Sequence, residues 1–199
     1  MDEINFRAPF SLMITIARIV FVLVLSTVIP VAAQPETKPL LETLTFYIAG
    51  VECAACVFSV NDSVRRLSGI DEVIDGQNNA NYINVTFDPA KVSAHQIAQA
   101  VTDAFPLHGA PYVATLHLVV PGYGEGGNAA KVSEAFAKWK DWVEFEVIKP
   151  ARGELVVKFK PLANDPARTT ATGWSHTALQ ESLGKVLPVG TTVLLLKEG

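Results

Sequence analysis

The chain repeats itself. Slid by 72 positions, Thr43-Leu44 falls on Thr115-Leu116, Gly50 on Gly122, Val60 on Val132, and Val85, Phe87 and Pro89 on Val157, Phe159 and Pro161, all without a gap. A register held across several apolar segments marks a duplicated structural unit. The two copies must then share one order of elements.

That order reads strand, helix, strand, strand, helix, strand. In the first copy residues 43–49 open as a strand. Cys56, Val60, Val64 and Leu67 recur at helical spacing with Asn61, Asp62, Arg65 and Arg66 off that face, and Gly69 stops the helix. Val73-Ile74 and residues 82–87 flank the turn-rich Gly76-Gln77-Asn78-Asn79-Ala80 and read as a hairpin. Ser93-Ala94-His95-Gln96 fits a capping box, Ile97, Val101 and Ala104 give the next helix one apolar face, and residues 111–114 supply the last strand. The second copy places its elements at 115–120, 129–140, 142–147, 154–159, 175–186 and 191–196. The predicted class is α+β: tandem ferredoxin-like βαββαβ units, 43–114 and 115–199, each a four-stranded antiparallel sheet with two helices on one face.

The N-terminus carries a different signal. Arg18 precedes an apolar run from Ile19 to Pro30 that ends in Val31-Ala32-Ala33, the pattern of a signal peptide, here residues 1–33 cleaved after Ala33, with 34–42 as a polar linker. Asp2 and Glu3 are unusual there, so a start at Met13 is an alternative. The expectation is an exported protein, periplasmic or extracellular, touching a membrane only if that segment is retained uncleaved. A net charge of −4 with scattered basic residues leaves no footprint for nucleic acid.

Both cysteines stand in Gly50-Val51-Glu52-Cys53-Ala54-Ala55-Cys56. A disulfide across two residues closes almost no loop, so in an oxidising compartment the pair serves chemistry before stability. Cys56 falls in the first turn of its helix, where bare N–H groups and the helix dipole favour a thiolate. Right-handed crossovers put Cys53, Cys56, the 76–80 turn and the 105–108 loop at one end. Glu52 and His108 are the further donors available there. If residues 112–120 form one continuous strand, the loop 121–128 of the second copy points to the other end. Two thiolates without two more ligands suit linear or three-fold coordination of copper(I) or mercury(II) better than a closed zinc(II) site.

The first copy resembles the heavy-metal-associated domain family, which includes small copper chaperones and a periplasmic mercury-binding protein. The family motif, Gly-Met-x-Cys-x-x-Cys on a strand-to-helix loop, stands here with Val51 for the methionine. Asp103-Ala104-Phe105-Pro106 resembles the family's aromatic loop, with Phe105 for the common tyrosine. The resemblance implies a non-enzymatic carrier. Cys53 and Cys56 would bind a soft ion, copper(I) first and mercury(II) or zinc(II) as alternatives, with Phe105 shielding the site and His108 as an auxiliary donor. It also implies a metal-transporting or metal-accepting partner with a thiol site, and a monomer or metal-bridged dimer. In the second copy Glu125 aligns with Cys53 and Asn128 with Cys56, so this copy resembles a degenerate member that has lost its thiols. The readings held beside this one are a thiol-disulfide redox protein using the same pair and a protein-interaction module.

The remaining candidates have plainer explanations. His95 serves a helix start, and His117 and His176 lie in the second copy, out of reach of the cysteines. The glycines from Gly122 to Gly127 mimic a phosphate cradle but lack the Lys-Ser/Thr ending, and Asn128 reads as an N-cap. Trp139 and Trp142 read as packing residues.

Overall fold

The computed structural model describes residues 40–76, 81–163, 170–188 and 194–195. The expected signal segment, most of the linker, positions 77–80 of the hairpin loop and most of the expected final strand lie outside the described residues. The elements are β1 (Glu42–Ala49), α1 (Ala54–Arg65), β2 (Ile70–Asp75), β3 (Tyr82–Phe87), α2 (Ala94–Asp103) and β4 (Val113–Val119), followed by α3 (Asn128–Ala137), β5 (Val143–Lys149), β6 (Glu154–Phe159), α4 (His176–Gly184) and β7 (Leu194–Leu195). The class is α+β, and every described strand pair is antiparallel.

Where the sequence predicts a four-stranded sheet for each copy, the strands join in one seven-stranded sheet of order β2-β3-β1-β4-β6-β5, with β7 paired to β4. The reason is β4. Its sequence, VATLHLV, has no glycine or proline to break it. Its start pairs with β1 through Ala49↔Val113, and its remainder pairs with β6 from Thr115↔Lys158 to Val119↔Glu154. The join expected between residues 114 and 115 falls inside this strand.

Register decides which face is core. Cross-strand partners share a face, so Leu44 with Val85, Phe46 with Ile83, Ile48 with Ala114, Leu116 with Val157 and Leu118 with Leu155 form one continuous apolar surface. All of them are buried in a single cluster with Val60 and Val64 of α1, Ile97 and Val101 of α2, Val132 and Phe136 of α3, and Leu179 and Leu183 of α4. The four described helices therefore cover the same face. Each fully buried side chain of this size contributes about 1.5–3 kcal/mol, which makes this shared layer the main source of stability.

The second half grips the first at α2. The capping box forms in full, Ser93 Oγ accepting from Gln96 N–H and Gln96 Oε1 from Ser93 N–H. Against it lie residues 160–163 and 170–175, between β6 and α4. Thr172 N–H donates to Gln96 Oε1 at 3.1 Å, Gln96 Nε2 to the Thr170 carbonyl at 3.0 Å, Leu162 N–H to Gln99 Oε1 at 2.9 Å, and Ser93 Oγ to the Thr172 carbonyl.

His95 lies at the centre of this contact, which corrects its reading as a helix-start residue. It is fully buried, its Nε2–H donates to the Lys160 carbonyl at 2.6 Å, and its Nδ1 accepts Trp174 N–H at 3.3 Å. Those two bonds require the neutral imidazole, and burial holds its pKa below the ordinary value despite the carbonyl bond. Phe159 and Trp174 pack beside this assembly. Gly173 has φ +90, and a Cβ there would come within 2.7 Å of the His95 ring.

Candidate metal centre

The cysteine loop is built by its neighbours. β1 ends at Ala49, Gly50 turns the chain at φ +90, and Cys53 takes an extended conformation as the N-cap of α1. Its sulfur does the work that a serine or aspartate oxygen does at other helix starts, accepting Cys56 N–H at 3.3 Å. Cys56 enters the first turn with its side chain fully buried in the layer of Val60 and Val64, whereas Cys53 is half-buried.

Both thiols are free, with the sulfurs 3.0 Å apart and joined by a hydrogen bond. The Cys56 thiol is lowered from its ordinary 9.0 to about 6, chiefly by the hydrogen bond from Cys53. Burial opposes this, while the Tyr112 hydroxyl and backbone groups of the loop add to it. One thiolate is therefore already present at neutral pH, ready to ligate a soft ion or attack a disulfide.

Of the expected site residues, the structure brings Cys53, Cys56 and His108 together, their ligand atoms all within 4.8 Å of one another. Glu52 is exposed and outside this group. Phe105 is 73% exposed, and its carbonyl accepts Ser59 Oγ of α1 at 2.9 Å. The aromatic that touches a cysteine is Tyr112, which the sequence reading passed over. It is only 1% exposed, accepts Leu107 N–H at 3.3 Å, and its hydroxyl stands close enough to the Cys56 sulfur to lower that thiol's pKa. Its burial and the Cys56 thiolate together raise its own pKa. Its ring also passes the turn, its Cδ1 lying 3.5 Å from where a Gly50 Cβ would stand.

The aligned loop of the second half lies at the other end of the sheet, because β4 starts beside Ala49 and runs away from it. Its helix is capped by Gly127 at φ +78, so Asn128 is the first helical residue and the expected N-cap moves back by one. Asn128 is buried, its Nδ2 donating to the Gly122 carbonyl at 2.9 Å and its Oδ1 accepting Lys131 Nζ at 3.4 Å. His117 stacks on Tyr47 at 3.9 Å and His176 pairs with Glu42 at 2.7 Å, so neither joins the cysteines. Trp139 is half-buried against the core and Trp142 is 41% exposed, while the indole that fills the core is Trp174.

Fold and site together define an α+β protein with a reactive thiol pair on a strand-to-helix loop. No protein-family model matches the chain. The "Mercuric transport protein periplasmic component" of Shigella flexneri is 32% identical over 63 residues, which are 32% of this chain and 68% of that protein. The chain belongs to the heavy-metal-associated domain family. Among solved structures it is similar to oxidized MerP from Ralstonia metallidurans CH34, at 28% identity over 37% of this chain and 96% of that one, with a TM-score of 0.31. It is also similar to the water-soluble region of the P-type ATPase CopA from Bacillus subtilis, at 19% identity over 79% and 93% of the two chains, with a TM-score of 0.36.

Proposed function

We propose that this chain is an exported, non-enzymatic carrier that captures a soft metal ion through Cys53 and Cys56 and passes it to a thiol-bearing partner. The observation that carries this reading is the pair of free sulfurs 3.0 Å apart at a helix N-terminus, one of them acidic. Likeness to a mercuric transport component supports it. Two close thiolates favour copper(I) first and mercury(II) next, with zinc(II) less well served by so few ligands. Transfer then proceeds by ligand exchange. Each bond formed between the ion and a partner sulfur replaces one to Cys53 or Cys56, and the partner's thiol proton goes to the cysteine released. The partner is a metal-transporting or metal-accepting protein with its own thiol site, and Phe105 shields the exchange from water once that partner docks.

In this reading residues 1–33 are a signal peptide and 34–42 a linker, and the protein acts in the periplasm or outside the cell. No helix among the described residues is long and apolar enough to cross a membrane. Residues 43–114 form the metal-binding ferredoxin-like unit and 115–199 a degenerate second unit, the two sharing β4. In support, β2-β3-β1-β4 and β5-β6-β4-β7 each repeat the same pairing order. The second unit serves as the scaffold that fixes α2.

A second reading is a thiol-disulfide protein, favoured by the same low pKa and sulfur spacing. One experiment separates them: the reduced full chain and its Cys53→Ser/Cys56→Ser variant are challenged anaerobically with copper(I), mercury(II) and zinc(II), and the metal-free protein is assayed on a model disulfide. The carrier reading expects one tightly held ion per wild-type chain, none in the variant, and no disulfide turnover. Equal binding by both proteins, or turnover without metal retention, overturns it.

A further inference from the structure

Two sulfurs alone leave a soft ion open to the thiols of a second copy. Here a third donor stands beside them. A three-coordinate ion with bonds of about 2.0–2.3 Å needs its ligand atoms about 3.5–4 Å apart. The sulfurs at 3.0 Å and the His108 nitrogen within 4.8 Å bracket that spacing, so the side chains close on an ion with small adjustments.

The loop that carries His108 is fixed on the N-terminal side of that residue. Phe105 is held to α1 by Ser59, and Leu107 N–H is held by the Tyr112 hydroxyl, which also stands beside the Cys56 sulfur closely enough to lower that thiol's pKa. Tyr112 thus links the surroundings of a ligating sulfur to the backbone next to His108, and its near-complete burial leaves it little freedom.

We propose that His108 is the third ligand of a self-contained site of two sulfurs and one nitrogen, with Tyr112 as its positioning residue, so that one chain binds its ion without a second copy. This rests on the carrier reading above. The imidazole nitrogen fills the position that a second chain's thiolate would otherwise take. It is also the softer site's least suited donor, so it is the one an incoming partner thiol displaces first.

The test loads the reduced full chain with one equivalent of copper(I) or mercury(II) and measures X-ray absorption at the metal edge together with the mass in solution. Wild type is expected to show two sulfurs, one nitrogen with imidazole scattering, and a monomer. His108→Ala is expected to lose the nitrogen shell, bind about tenfold more weakly and form a metal-dependent dimer. Tyr112→Phe keeps the ring and removes the hydroxyl, and is expected to weaken the imidazole signal while both sulfurs remain. A bound ion with sulfur ligands only in wild type, a nitrogen shell that survives His108→Ala, or a Tyr112→Phe spectrum identical to wild type overturns the proposal. Absence of any bound ion in wild type overturns the carrier reading itself.

Discussion

The loops 50–56 and 122–128 begin alike and end in opposite chemistry. Each leaves a strand at a glycine with positive φ and enters a helix whose first turn buries one side chain, Cys56 in one case and Asn128 in the other. Asn128 spends its amide inside its own loop, on Gly122 and Lys131. Cys56 instead points its bonding capacity at Cys53 and Tyr112, which leaves an acidic sulfur beside a half-buried one. A buried amide whose partners lie beside it makes a structural joint, and a buried thiol held well below its ordinary pKa marks a candidate site.

The largest difference between the two loops should appear when each is altered in turn. Cys53→Ser/Cys56→Ser should abolish tight soft-ion binding, whereas Glu125→Ala should leave it at wild-type strength, both read by competition with a chromophoric chelator. Binding that survives the first or falls with the second contradicts the assignment.

The next largest effect concerns the contact between halves. His95→Ala leaves the Lys160 carbonyl and Trp174 N–H without their buried partner, at a cost of about 3 kcal/mol in denaturant unfolding. Gly173→Ala forces a methyl group onto the same ring from a left-handed backbone and should cost about 2 kcal/mol. The buried imidazole also makes this contact acid-sensitive. Above pH 6.5 both folded and unfolded His95 are neutral and stability is full. As pH falls below that value the unfolded chain takes up a proton that the folded one resists, so this contribution is lost. The wild type should lose stability below pH 6.5 more steeply than His95→Gln, and parallel curves would count against the neutral-imidazole contact.

What could be read in the sequence follows from periodicity and local chemistry. The strand before Gly50, the helix face of Cys56, Val60 and Val64, and the Ser93–Gln96 capping box are all local patterns, and each stands where expected. The roles of His95 and Tyr112 are not local. His95 meets Lys160 and Trp174, far along the chain, through a segment with no periodicity to announce it. Tyr112 looks like the start of a strand, and only the fold shows that its hydroxyl reaches Cys56. Trp174 carries no local signal either, because its contacts are likewise distant in sequence. The stretch 112–120, without glycine or proline, already points to a shared strand, but a duplicated pattern by itself implies one four-stranded sheet per copy and does not show that the two join.

Two smaller effects sharpen the contrast. Asn128→Ala should cost about 1–2 kcal/mol by orphaning the Gly122 carbonyl, with metal binding unchanged. The ultraviolet absorbance of the Cys56 thiolate in the reduced protein should rise with a pH midpoint near 6, and Cys53→Ala should move that midpoint upward because the largest cause of the shift is gone. A midpoint unaffected by Cys53→Ala would mean that Tyr112 and the loop backbone, and not the paired sulfur, hold the thiolate.

In the carrier reading the ion sits at the first loop and not at the second. Amide chemical shifts of the reduced, isotope-labelled full chain, titrated with mercury(II), distinguish the two loops. Changes should be confined to residues 50–60 and 105–112 and complete at one equivalent, with 120–131 unmoved. Shifts centred on 122–128, or a second equivalent taken up there, would contradict that reading.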